Sequence, residues 1–289
     1  MTGTIASSNR LRCLVLTILP AVAALGTAQA PPPSKAVDGG KLPPAVDLRP
    51  RFAGAGLTVR AQGGRNTCSV FAVVGAMEYA LARHDGTGTR LSVEFLNWAS
   101  NAATNNSADG SFFSDLWKGF EAYGVCDEAD QPYQKKFDQQ FRPSDETLQR
   151  AARRRDAGLR LHWIKPWDVT TGLTDAEFVE IKRTLSQNWP VCGGLRWPKK
   201  EHWTAGVLDM APPEGVRDGH SVLLVGYRDD PALAGGGAFL IRNSGKGQPE
   251  GWMTYEYARA YMNDAIWIES PAPPARPASQ PADAVLPSE

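Results

Sequence analysis

From Cys68 to Asp130 the apolar positions recur at a helical period. Val70, Phe71, Val74, Met77 and Leu81 share one face and predict a helix from Cys68 to about Arg83, with Asn66 and Thr67 as candidate caps. A second helix starts near Ser92 and carries Phe95, Leu96 and Trp98. A third runs from about Ser111 to Tyr123. Its stripe of Phe112, Phe113, Leu116, Trp117 and Phe120 reads most simply as core, and Gly124 ends it. Residues 134–158 are polar. They hold a short surface helix whose Arg150, Arg153, Arg154 and Arg155 read as a solvated face. Thr174-Asp175-Ala176-Glu177 is a capping box, and the helix after it turns Phe178, Ile181 and Leu185 inward.

Beyond Pro190 the period shortens. Val191–Trp197, His220–Arg228, Gly237–Asn243, Trp252–Tyr257 and Ala265–Glu269 read as strands separated by Gly, Pro and Asp clusters. Helices first and strands afterwards predict an α+β protein of two packed lobes, not an alternating parallel sheet. The folded domain is expected over 44–270, with a helical lobe at about 61–135 and a β lobe at about 159–270. Residues 31–43 read as a linker or short pro-segment. Residues 271–289 read as a disordered Pro-rich tail. A groove between two lobes is a common place for a site.

Composition narrows the class. The chain has 289 residues, 31 basic against 31 acidic, so nothing suggests a nucleic-acid partner. A hydrophobic share of 42% and nine Trp suffice for a sizeable core. The first thirty residues read as a signal peptide. Arg10 and Arg12 precede the apolar run Cys13–Leu25, and Ala28-Gln29-Ala30 forms the cleavage site. Cleavage after Ala30 implies a secreted or periplasmic protein with no stable membrane anchor afterwards. It leaves Cys68, Cys126 and Cys192. Cys126 and Cys192 either pair, leaving Cys68 free, or stay as buried thiols. No cofactor is called for. A metal site through Cys126, Cys192 and His202 lacks the short ligand spacing such sites use.

The candidate chemistry starts at Cys68, placed at a helix N-terminus where backbone N–H groups favour a thiolate. Gln62, six residues earlier, offers a side-chain amide to an oxyanion, together with the Cys68 N–H. His220 follows Asp218-Gly219 and opens an apolar strand. Asn243 closes another strand and can accept the imidazole's second N–H. His84, His162 and His202 read as structural.

The order Gln62, Cys68, His220, Asn243 resembles the papain-like cysteine peptidases. The resemblance rests on Gln62-x5-Cys68 with Phe71 and Ala72, on Asp218-Gly219-His220-Ser221 through Gly226-Tyr227, and on Ile241-Arg242-Asn243-Ser244-Gly245. Val46–Arg49, Leu91–Leu96, Gly124–Cys126 with Gln131-Pro132-Tyr133, and Asn188–Val191 extend it over most of the chain after the signal peptide. It implies a two-lobe fold: a helical lobe, an antiparallel barrel-like β lobe and an active-site cleft between them. It also implies a peptide or protein substrate. Cys68 is then the nucleophile, His220 general base and acid, Asn243 its orienter and Gln62 the oxyanion donor.

Several positions depart from the family pattern. Ser69 stands where a Trp usually follows the nucleophile. Arg65 stands for a Cys, which removes a local disulfide. Gly245 stands for the Trp that shields the Asn–His hydrogen bond, so that bond is expected to be open to water. The family's second Trp has no match in Lys246–Pro249, and its Gly-Gly substrate strand is only hinted at by Asp109-Gly110-Ser111. About a dozen residues separate Ala30 from the fold, which fits bacterial members with a short pro-segment or control by a separate protein inhibitor. Two other uses of these residues stay open: a catalytically weak binding protein, and a transamidase or cell-wall amidase.

Overall fold

The computed structural model describes residues 41–271. The expected signal peptide, most of the linker and nearly all of the Pro-rich tail lie outside the described residues. The order of elements is β1 (Ala45–Asp47), α1 (Arg49–Gly54), α2 (Cys68–Asp85), α3 (Val93–Thr104), α4 (Phe113–Tyr123), α5 (Asp145–Arg155), β2 (Arg160–Lys165), α6 (Asp175–Ser186), β3 (Val191–Pro198), β4 (Trp203–Thr204), β5 (Val207–Leu208), β6 (Val216–Asp229), β7 (Gly237–Arg242), β8 (Glu250–Thr254), α7 (Tyr255–Tyr261) and β9 (Met262–Glu269).

Local chemistry explains most helix starts. Ser92 Oγ accepts the Phe95 N–H at 3.0 Å to open α3. Thr174 and Glu177 form a reciprocal capping box on α6, with bonds of 3.2 and 2.8 Å. Helix α2 differs. Thr67 holds the N-cap position, but its side chain does not cap; its Oγ1 meets Tyr133 Oη at 2.6 Å instead. The first N–H groups of α2 are therefore not taken up by the Thr67 side chain. Nor does α2 have one apolar face. Val70, Val73, Val74, Ala76, Met77, Tyr79 and Ala80 are all buried, because the helix runs between the other helices and the sheet.

The sheet runs in the order β2-β9-β3-β6-β7-β8-β5-β4, with β1 added against β6. All pairings are antiparallel except β5 with β8. The α+β, two-lobe expectation is correct, but the sheet is not closed into a barrel. Its end strands β2 and β4 do not pair, and β4 and β5 are two residues each, too short to carry a ladder around. The expected strand Trp252–Tyr257 is also corrected. Thr254 Oγ1 accepts the Tyr257 N–H at 3.1 Å, and the chain turns there into α7. β1 crosses to the sheet and pairs Val46 with Tyr227, after which Phe52 of α1 is buried under the Arg242 guanidinium.

In the helical lobe, Glu78 of α2 lies inside and accepts Arg60 Nη2 at 2.8 Å, Arg90 Nη1 at 3.1 Å and the Leu91 N–H at 2.8 Å. A buried carboxylate with this set of donors is satisfied; stripping one donor away costs several kcal/mol, roughly 3–5. Cys126 and Cys192 are buried and free, which settles the open choice against a disulfide. Among the described residues no helix is long and apolar enough to cross a membrane, and no group of His, Cys, Asp and Glu is arranged to hold a metal ion.

Candidate active site

A groove of about 400 Å³ runs between the lobes. One wall carries Cys68, Ser69 and the Gly110–Phe113 segment. The other carries Gly194–Arg196 of β3 and Asp218–Ser221 of β6, with Asp264 of β9 also lining it. Cys68 opens α2 and is only 6% exposed. Its Sγ lies 3.7 Å from the Gly219 carbonyl oxygen, so the residue before His220 touches the sulfur.

His220 Nε2 and Asn243 Oδ1 are 2.9 Å apart. Because Oδ1 can only accept, Nε2 carries the proton and Nδ1 keeps its lone pair. The register of β6 and β7 brings the two residues together: Leu223 pairs with Arg242, which places Asn243 just past the ladder and opposite the start of the apolar run. Asn243 is 1% exposed, against the expectation of an open bond. Backbone covers it in place of an indole. The Gly245 N–H donates to Oδ1 at 2.9 Å, and the Asn243 N–H donates to the Pro249 carbonyl at 2.8 Å. Trp197 lies against the imidazole, with ring centroids 4.6 Å apart.

Gln62 sits at the meeting point of the lobes. Ser244 Oγ donates to Gln62 Oε1 at 2.9 Å, and the Gln62 N–H donates to the Ser244 carbonyl at 2.8 Å. Gln62 Nε2 donates to the Arg65 carbonyl at 2.7 Å. One of its two N–H bonds is thus used to aim the amide, and one is left.

Burial dominates the charges here. It pushes the Cys68 thiol up, and the N–H groups of Ser221, Ser69 and Cys68 itself work against it. Burial therefore works against the preference for a thiolate that the helix N-terminus supplies. Burial likewise pulls His220 down, with the Asn243 bond and the Glu201 carboxylate opposing it. Asp264 is pushed up to about 7 by burial, with the Gly194 N–H and Lys165 opposing. Its carboxylate takes the space a side chain at Gly194 would fill, 1.8 Å from that residue's missing Cβ.

The other candidates lie apart from this chemistry. His162 bonds Glu269 at 2.9 Å and stacks on Trp267; His202 pairs with Asp209. Nothing is described of the His84 side chain. Burial, helped by Asp130, pushes Cys126 up to about 12, and burial raises Cys192 further. Residue type and spacing assign no role to Ser244, Tyr133, Arg65 or Asp264, although each stands inside or beside a segment with a signal of its own.

A cysteine at the head of the central helix, facing a His–Asn pair across a groove between helical and β lobes, is the architecture of a papain-type peptidase. The family described as papain family cysteine proteases matches residues 42–270, and the chain belongs to it: it is a cysteine peptidase. The fold is similar to that of xylellain, a cysteine protease from Xylella fastidiosa, at 22% identity and a TM-score of 0.61, covering 80% of this chain and 88% of that one. It is also similar to digestive procathepsin L 3 of the Tenebrio molitor larval midgut, at 18% identity, TM-score 0.56, and 80% and 71% of the two chains. The proform of the ragweed pollen allergen Amb a 11, a cysteine protease, gives 19% identity, TM-score 0.57, and coverage of 82% and 69%. No curated protein is matched in sequence.

Proposed function

We propose that the protein is an exported endopeptidase that cleaves peptide bonds through a thioester on Cys68. The observation that carries this reading is the placement of Cys68 Sγ against the Gly219 carbonyl, with the next residue, His220, bonded through Nε2 to Asn243. His220 Nδ1 takes the thiol proton as Sγ attacks the scissile carbonyl carbon. Burial penalises a lone thiolate and a lone imidazolium alike; formed together, each charge offsets the other's desolvation. The oxyanion accepts hydrogen bonds from the Cys68 N–H and the remaining Gln62 Nε2 hydrogen. His220 gives its proton to the leaving amine, and the C–N bond breaks. Water, deprotonated by the same nitrogen, attacks the thioester; the acid leaves and the proton returns to sulfur.

Residues 1–30 act as the export signal in this reading, with cleavage after Ala30 and a secreted or periplasmic product. A separate protein inhibitor is the proposed brake on activity. The test is hydrolysis of a peptide reporter by the mature protein under reducing conditions, with Cys68→Ala in parallel and the N-terminus sequenced. Turnover by wild type and none by the variant supports the reading; equal turnover by both, or none by either, ends it.

A further inference from the structure

The strongest unassigned feature is a buried cation three residues before the nucleophile. Arg65 is 5% exposed, and four of its five N–H bonds are used. Nε and Nη2 both donate to Asp109 Oδ1, at 3.1 and 2.8 Å. Nη1 donates to Glu94 Oε2 of α3 and to the Gln134 carbonyl, the latter at 3.0 Å. The guanidinium also lies over the Tyr133 ring at 4.7 Å. Tyr133 Oη in turn donates to the Gln62 carbonyl at 2.9 Å and meets Thr67 Oγ1.

Each end of this cluster reaches the groove. The Arg65 carbonyl takes the bond that aims the Gln62 amide. Asp109 Oδ2 accepts the Asn66 N–H at 3.2 Å, and the next residue is Gly110 of the groove wall. Gly110 has φ +98°, and a Cβ there would stand 2.1 Å from the Asn66 carbonyl oxygen, so wall and loop touch backbone to backbone. Asn97 Oδ1 accepts the Gly110 N–H at 2.9 Å and Ser69 Oγ accepts the Ser111 N–H at 3.4 Å.

We propose that Arg65 is a positioning residue that fixes the Gln62–Cys68 loop and the Asp109–Ser111 wall in one register, so that a peptide held along the wall presents its carbonyl to sulfur and amide together. Arg suits the task because its planar fork reaches two carboxylates and a carbonyl at fixed angles; an ammonium cannot. The inference rests on the peptidase reading above.

The test compares two alkylation rates of Cys68. Iodoacetamide needs only the sulfur and the imidazole that takes its proton; a peptidyl epoxide also needs the wall and the loop in register. In Arg65→Lys the epoxide rate is expected to fall about tenfold or more while the iodoacetamide rate stays within about twofold. Asp109→Asn, which spares the Glu94 arm, is expected to do the same and covers the case in which Arg65→Lys fails to fold. Thermal melts confirm that each variant is folded at the assay temperature. An epoxide-to-iodoacetamide ratio equal to wild type in the folded variants overturns the proposal, as does a parallel fall of both rates. The ratio needs no turnover. A wild type that labels selectively but hydrolyses nothing sinks the peptidase reading and leaves the ratio to decide the positioning role; a wild type that hydrolyses, with an unchanged ratio in the variants, sinks the positioning role alone.

Discussion

The two walls of the groove are held by different physics. The Cys68 wall is built from loops and a helix end, and buried ions fasten it: Arg65 between Glu94 and Asp109, with Tyr133 beneath. The His220 wall is built from a ladder. There β-register places His220, and a short loop of Gly and polar residues wraps Asn243 through main-chain bonds. Position 245 has no side chain; a Cβ there would lie 3.0 Å from Asn243 Oδ1 and 3.2 Å from His220 Cε1. Irregular backbone has no repeating hydrogen-bond pattern to set its shape, so it needs side chains that are directional and fully satisfied. A ladder needs only correct pairing. The departures at Arg65 and Gly245 thus fall on opposite sides of this divide: one adds a network, the other leaves backbone to do the covering.

The largest effect is expected where the walls meet. Cys68→Ala should lower peptide hydrolysis by at least about 10⁴-fold in a steady-state assay, with the fold unchanged by circular dichroism. The β9 edge of the His220 wall gives the next. Asp264 has a folded value raised to about 7 from an ordinary 3.8, so its contribution to stability is full below pH 4 and is lost as pH rises through about 7. Asp264→Asn should therefore flatten the melting midpoint between pH 4 and 8, with a gain of a few kcal/mol over wild type at pH 8.

Smaller effects separate the walls themselves. Asn243→Ala frees the imidazole and removes the bond that favours its charged form, so it should lower kcat/KM by roughly tenfold to a hundredfold, with a smaller fall in the iodoacetamide rate. Ser244→Ala removes the side-chain bond that ties Gln62 to the His220 side. It should lower kcat about tenfold and stability by about 1–3 kcal/mol, since Gln62 Oε1 is left buried without its donor. Equal losses for Asn243→Ala in both alkylation and turnover would show that the ladder, not the orienting bond, carries its effect.

How much of this is legible in the sequence follows from range. Helices α3 and α6 are legible because Ser92 and Thr174 cap within three residues of themselves. Helix α7 is not, because Trp252, Met253 and Tyr255 carry strand propensity, and a single Thr254 side chain decides the turn into helix. The open sheet is not legible either: β4 and β5 are too short to leave a period. At the site, residue type and order bring out Gln62, Cys68, His220 and Asn243. The bonds that hold them come from Ser244, Tyr133 and Asp109, whose use depends on which loops meet in space. The same holds for the exposed Asn–His bond expected from Gly245. A missing Trp is visible in the sequence, while the backbone that covers its place is not.

The most direct measurement is an acid quench of the mature protein during turnover of a peptide ester, followed by intact mass and peptide mapping. One acyl group is expected, sensitive to hydroxylamine, carried on Cys68 and absent in Cys68→Ala. An acyl group on any other residue, or ester and peptide turnover that persists in Cys68→Ala with no acyl group trapped, would contradict the thioester on Cys68.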